Sequence, residues 1–212
     1  MDRREYVSLF EAMHPGFFER PGIEAMDEEE VFDEMMLDLR RFDLRTFDLR
    51  KFDLGKLCGH RYGGRLDGGV SFGYYEGDIE ALRAIVAQVD EDWTRYFDEE
   101  ARVFCGFVEG EVVSFCMIED MGTFLVDDSD GSNGGEMIKG SREVRIGGPG
   151  CVGTLPAFRD RGIGLTMVSR ATQILKDEGF DYSYIHYTYL PQWYRKLGYE
   201  TVLRWNRHGL LP

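Results

Sequence analysis

No Cys-x-x-Cys pair occurs among the four cysteines, Cys58, Cys105, Cys116 and Cys151. That argues against a zinc knuckle or a thioredoxin-type site. Cys105 and Cys116 lie in apolar, strand-like runs and are expected to be buried free thiols. No stretch approaches the roughly 18 apolar residues of a membrane span. The first residues, MDRREYVSLFEAMHPG, lack the apolar core of a signal peptide, so a reducing, cytoplasmic setting is the default expectation. Positive charge is scarce: 25 Lys and Arg stand against 39 Asp and Glu, a formal net charge of -14. That excess disfavours nucleic-acid and anionic-membrane partners. It is compatible with a cationic acceptor such as an amine, but the favoured reading is a charge that only keeps the chain soluble. Two phosphate motifs are missing: there is no GxxxxGK[ST], and GxGxxG fails because residue 167 is Met. The acidic run DDSDGSNGGE (127–136) does not make an EF-hand either. Setting Gly131 as the required glycine puts Val126 at position one and Met137 at position twelve. A solvated loop is expected there, and no metal.

What is present suits a globular protein. The chain has 212 residues, is 43% hydrophobic and carries 15 Phe and 11 Tyr. That is enough for one domain with a core, plus an appendage. Tyr6, Leu9, Phe10 and Met13 recur at helical spacing, and periodicity predicts a second helix from about Asp27 to Leu39. Residues 38–52 then read DLRRF, DLRTF, DLRKF, with a decayed copy, DLGKL, at 53–57. A period of five fits neither helix nor strand. Three good copies are too few for a solenoid, so a slipped duplication in an exposed arm is expected. The five glycines of GHRYGGRLDGG (59–69) read as a flexible linker. We therefore divide the chain into an N-terminal helical extension (1–69) and a domain (70–212).

From residue 70 the texture is that of a compact α/β domain. VSFGYY (70–75) is a strand, and Asp78 can cap a helix with apolar positions Ile79, Leu82, Ile85, Val86 and Val89. Trp93, Tyr96 and Phe97 belong to a second short helix. ARVFCGFV and EVVSFCMI are strands joined by Glu109-Gly110, a hairpin turn. EVRIGGPGCVGTLPAF (143–158) is strand-like, but its glycines suggest a bulge or a close backbone approach. GIGLTMVSRATQILKDEG (162–179) is the best helix, ended by Gly179. YSYIHYTY is a strand, PQWYRKLGY a short helix that opens on Pro191, and ETVLRWNRHG a last strand.

At FRDRGIG (158–164) a strand gives way to that best helix. Helix starts expose free N–H groups and a positive dipole end. Glycine removes the Cβ atoms that would hold an anion off, so this is a ready phosphate site, to which Arg159 and Arg161 can add charge-assisted bonds. On its own the RxxGxG pattern fits a merely tight turn equally well.

Its company decides. Val152, Pro156, Phe158, Arg159, Gly162 and Gly164 spell V-x-x-x-P-x-[FY]-R-x-x-G-x-G ahead of the helix. Trp193-Tyr194-Arg195-Lys196-Leu197-Gly198-Tyr199 follows at the matching distance. Residues 152–199 resemble the GNAT superfamily of N-acetyltransferases, and the likeness extends more loosely back to residue 70. The resemblance implies a mixed α/β fold: a mostly antiparallel, splayed sheet flanked by helices, with acetyl-CoA bound between its fourth and fifth strands. It implies that the backbone of Arg161, Gly162, Ile163, Gly164 and Leu165 holds the diphosphate of coenzyme A. Val152 and Thr154 would pair with the pantetheine arm, and an amide near Thr154 would face the thioester oxygen. Tyr194 matches the family's general acid, and no metal is implied.

The reaction such a family member runs has simple demands. An amine attacks a thioester, so the developing oxyanion needs a fixed donor and the departing thiolate a proton. Tyrosine, titrating near 10 against about 8.5 for a thiol, can lend one as the thiolate forms. The amine must itself lose a proton. Glu143, at the start of the cofactor strand, and His186, on the next strand, are the candidate bases, with water-mediated removal as a third route. Many family members carry an Asn about seven residues before the Tyr, and here Tyr187 stands there. The expected acceptor is a small-molecule or peptidyl amine, and the sequence is compatible with a homodimer. Residues 1–37 are expected to shape the acceptor side of the pocket. The alternatives are a non-catalytic acyl-CoA-binding module on the same fold and a protein-interaction role for the DLRxF arm.

Overall fold

The computed structural model describes residues 1–44, 69–128 and 140–212. The later DLRxF copies, Cys58, most of the glycine-rich linker and most of the acidic loop lie outside the described residues. In chain order the elements are helix α1 (Arg3–Met13), helix α2 (Pro21–Glu24), strands β1 (Phe32–Asp38) and β2 (Val70–Tyr74), helix α3 (Ile79–Val86), and strands β3 (Val103–Val108), β4 (Glu111–Asp128) and β5 (Gly140–Thr154). Helix α4 (Ile163–Asp177), strand β6 (Tyr182–Thr188), helix α5 (Pro191–Arg195) and strands β7 (Glu200–Asn206) and β8 (Gly209–Leu210) complete them. Short 3-10 turns cover Phe17–Glu19, Glu91–Tyr96 and Pro156–Phe158. The strands run in the order β2-β3-β4-β5-β6-β1-β7-β8 in one eight-stranded, mostly antiparallel sheet, so the expected mixed α/β class holds. Two compact units share it. One comprises residues 1–40, 120–147 and 179–212, the other residues 41–119 and 148–178.

In the first unit, Asp2 starts α1 with a capping box. Its carboxylate accepts from the N–H groups of Arg4 and Glu5 at 2.7 and 3.1 Å, and Glu5 accepts from the N–H of Asp2. Such a cap meets backbone donors of the first turn that have no intrahelical acceptor. Leu9 and Met36 join Val126, Val144, Ile146, Tyr182 and Tyr184 in one core cluster. Phe10, Phe17, Ile23, Phe32, Leu203 and Trp205 form another.

The helix expected from Asp27 to Leu39 is not there. Its place is taken by β1, which pairs antiparallel with both β6 and β7. Phe32 through Leu37 are all buried. An interior strand covered on both faces carries no two-residue alternation, and a short apolar run of this kind mimics a helical stripe. The N-terminal segment is thus only partly helical, and it supplies a central strand. The first DLRRF copy is not an exposed arm either, since Leu39 and Phe42 are buried.

In the second unit, β2, β3 and β4 pair antiparallel. Glu109 and Gly110 both take positive φ, 53° and 90°, the left-handed pair that a tight hairpin requires. Asp78 caps α3 by accepting from the N–H of Ala81 at 2.9 Å. Leu82 and Val86 then pack with Phe97, Val103, Cys105, Val112 and Phe115. Cys105, Cys116 and Cys151 are free thiols, and burial pushes Cys105 and Cys151 up to about 12.

The backbone of β5 lies directly on this core. A Cβ added to Gly153 would stand 2.3 Å from the ring of Phe115. Phe115 is fully buried and held edge-on by Phe97 at 5.6 Å. Gly153→Ala is therefore expected to cost about 1–3 kcal/mol through overpacking, measured as a lowered urea midpoint at unchanged slope.

Candidate functional site

The sequence-predicted residues fall into two groups, one in each unit. In the second unit the chain leaves β5 and turns into α4. Leu155 donates its N–H to the Val113 carbonyl at 2.9 Å. The Ser114 hydroxyl donates to the Gly153 carbonyl at 2.7 Å and lies 2.8 Å from the Thr154 hydroxyl. Cys151, near the C-terminal end of β5, stands at φ 45°, a left-handed backbone that is unusual for a residue other than glycine. Val152 and Thr154 follow it, half-buried.

The turn itself runs through Asp160 at φ 60° and Gly162 at φ 73°. Gly162 is the N-cap of α4, and no side chain caps that end. The first amides of an α-helix have no intrahelical acceptor, and this helix is 15 residues long, so its dipole adds positive potential there. Ile163 and Leu165 are buried, and Ile163 anchors the helix start against Val70 and Val113. Arg159 and Arg161 are exposed. Arg159 Nε donates to the Thr154 carbonyl at 3.0 Å, and the Arg161 guanidinium lies 5.4 Å over the Phe158 ring. The resulting turn, with glycine at its lip and cations at its rim, has the chemistry to take an anion such as a diphosphate.

The first unit holds Tyr194, Glu143 and His186. Tyr194 is buried on α5, with its ring 4.8 Å from Trp193 and 5.9 Å from Tyr199. Glu143 is exposed on β5, beside the buried Val144. His186 is different, because the structure surrounds it with residues the sequence did not single out. Glu34, in the middle of β1, is fully buried. Its Oε2 lies 3.1 Å from His186 Nδ1 and accepts from the Tyr184 hydroxyl. Its Oε1 accepts from Trp205 Nε1 at 2.6 Å. The Tyr187 N–H donates to both oxygens, at 3.2 and 3.3 Å. Tyr187 itself stands at φ 20°, a strained backbone held in place by that bond. Burial pushes the Glu34 carboxyl up, but hydrogen bonds from His186, Tyr184 and Trp205 outweigh it and hold the group below its ordinary value.

The N-terminal segment closes over the same ring. His14 stacks on His186 at 3.9 Å and 13°, and Phe17 meets it edge-on at 5.1 Å. His14 Nε2 is buried without a hydrogen-bond partner. Burial, with a smaller contribution from His186, pushes His14 down to about 4. Neither residue was visible from sequence. Glu34 lies in the run taken for a helix, where one carboxylate among apolar residues reads as a solvated face. A central-strand reading of 32–38 would have exposed it as a buried charge in need of donors.

His14 carries a pH prediction. Glu34, His186 and Arg20 are the charged or titratable groups that act on it. Below about 6.5 the unfolded chain takes up a proton that native His14 refuses until about 4. The unfolded state then binds more protons, so stability falls as pH falls through that window. The expected loss between pH 7 and pH 4.5 is about 2 kcal/mol, reduced for partial exposure. Urea titrations at both pH values should show a smaller loss in His14→Phe.

Among the described residues no cluster of His, Cys, Asp or Glu is placed to hold a metal. No helix among them is long and apolar enough to cross a membrane. Residues 70–199 match the family model described as the acetyltransferase (GNAT) family. Among solved structures, the chain is similar to a GCN5-related glucosamine N-acetyltransferase region of a fungal multi-domain GH3 β-N-acetylglucosaminidase. The identity is 18% and the TM-score 0.55, over 84% of this chain and 20% of that one. It is also similar to a GCN5-related N-acetyltransferase from Kribbella flavida, at 17% identity and TM-score 0.43, over 88% of this chain and 60% of that one. The chain thus spans less than two thirds of either. No curated protein matches it.

Proposed function

Because the chain belongs to the acetyltransferase (GNAT) family, we propose that it is an acetyl-CoA-dependent N-acetyltransferase. It moves an acetyl group to a primary amine of a small molecule or peptide by direct attack. The observation that carries this reading is the start of α4: a left-handed glycine and no side-chain cap on a 15-residue helix, with Arg159 and Arg161 beside it. Bound acetyl-CoA supplies the activated thioester. The amides of Arg161, Gly162, Ile163, Gly164 and Leu165 hold its diphosphate, and Val152 and Thr154 align its pantetheine arm. A backbone amide near Thr154 would meet the thioester oxygen as an oxyanion donor.

The protonic roles belong to the first unit. Tyr194 gives a proton to the departing thiolate. His186 takes the proton of the incoming amine. Its ring is 22% exposed and held by a buried carboxylate, so it has both access and orientation. Glu143 is exposed on β5 and lacks that setting.

The test is thiol release from acetyl-CoA across a panel of primary amines, both small molecules and lysine peptides. Release that requires an amine, with a product heavier by one acetyl group, is the expected result. Acetyl-CoA binding with no release from any amine would favour a non-catalytic acyl-CoA module.

A further inference from the structure

Glu34 is an unusual residue to bury. It sits at the centre of an interior strand with no exposed surface, and a charge there is costly unless every lone pair is met. It is met by four donors: the Tyr184 hydroxyl, Trp205 Nε1, the Tyr187 N–H and His186 Nδ1. The first three can only donate to it. Core stability alone would be served by apolar residues in this strand. The arrangement costs a strained Tyr187 backbone and points one face of the carboxylate at a histidine that is still partly open to solvent.

We infer that Glu34 is the positioning residue of a carboxylate–histidine pair that presents His186 Nε2 as the proton acceptor. The inference rests on the reading of His186 as the base. An ionised carboxylate only accepts hydrogen bonds, so His186 Nδ1 must carry the hydrogen, and the lone pair of the neutral ring is then on Nε2. When an amine approaches as its ammonium form, one N–H bond breaks and its proton goes to Nε2. The amine keeps the freed electron pair for attack on the thioester. The imidazolium that results still donates Nδ1–H to Glu34, whose negative charge offsets the new positive one. His14, stacked at 3.9 Å, stays neutral and adds no second proton. Its ring instead limits how the imidazole can rotate. Phe17 at 5.1 Å and Tyr187 at 4.8 Å, both edge-on, complete the clamp.

The experiment reads the tautomer first, without activity. The protein has four histidines, so long-range 1H–15N spectra of the imidazoles are sparse, and the His186 set is the one missing in His186→Asn. Asn keeps an N–H donor for Glu34 while removing the base. At neutral pH His186 is expected as the Nδ1–H tautomer. An Nε2–H tautomer in the wild-type protein overturns the proposal even if Glu34 variants fail to fold.

The second arm uses Glu34→Gln. Its amide can donate to Nδ1, so the ring should populate the Nε2–H form. kcat for the amine should fall by about 10- to 100-fold, while the KM for acetyl-CoA is held and the acid limb of the pH–rate profile moves. The groups facing the ring in that titration are Glu34, His14, Tyr184 and Tyr187, with Arg20 behind His14. A folded Glu34→Gln protein with wild-type kcat and pH profile overturns the positioning role alone. A fully active His186→Asn overturns the base assignment and this proposal with it. If no amine releases thiol from the wild-type enzyme, the proposed function fails, whatever the tautomer.

Discussion

Gly162→Asp is expected to abolish the stabilisation of this protein by coenzyme A. Ligand at a hundredfold its Kd stabilises a native state by about 2.7 kcal/mol, which for a chain of this size raises Tm by about 5–10 °C. That shift should appear with acetyl-CoA and with coenzyme A in the wild-type protein. Residue 162 stands at φ 73°, and Asp tolerates the left-handed region better than most side chains. The substitution therefore adds modest strain, of about 1 kcal/mol, while placing a negative charge where the diphosphate is proposed to lie. Gly162→Asn controls for the strain, because Asn has the same shape and the same backbone tolerance without the charge. It should retain at least part of the shift. Loss of the shift in both variants would mean that any side chain blocks the cradle. No shift in the wild type at millimolar ligand would mean that the turn is structural, and the acetyltransferase reading would not survive it.

Tyr194→Phe should lower kcat by about 100- to 10,000-fold. Only the hydroxyl is removed, so the ring contacts with Trp193 and Tyr199 remain, and the thermal midpoint should move by no more than about 1 kcal/mol allows. Because the proposed acid would act on the leaving thiolate, the KM for acetyl-CoA should stay near the wild-type value. A loss confined to KM, or an unchanged kcat, would make Tyr194 a packing residue of the α5 helix face. Kinetics with acyl thioesters whose thiols have lower pKa give a second handle. A better leaving group should recover much of the activity of the Phe variant, since it needs less help from an acid.

The order of strand, helix, hairpin and long helix from residue 70 could be read from the chain because each signal is local. Asp78 bonds three residues ahead, Glu109-Gly110 closes a turn on its own, and Gly162 and Gly179 bound α4 through their own positive φ. These features depend on steric preferences within a few residues, and such preferences survive in isolation. The FRDRGIG turn and the W-Y-R-K-L-G-Y run belong to the same class. They are short and contiguous, so the turn and, through the resemblance both runs carry, the proposed role of Tyr194 could be singled out without coordinates.

The N-terminal segment could not be read that way. Whether VFDEMML becomes helix or strand depends on β6 and β7, which lie some 150 residues further along the chain. Their pairing covers both faces of β1 and removes the alternation that would have marked a strand. Glu34 follows from the same fact, because its donors Tyr184, His186, Tyr187 and Trp205 arrive only when the sheet assembles. Local sterics wrote the FRDRGIG turn into the sequence. Long-range strand pairing placed a buried carboxylate behind His186, and long-range contacts carry no local signal.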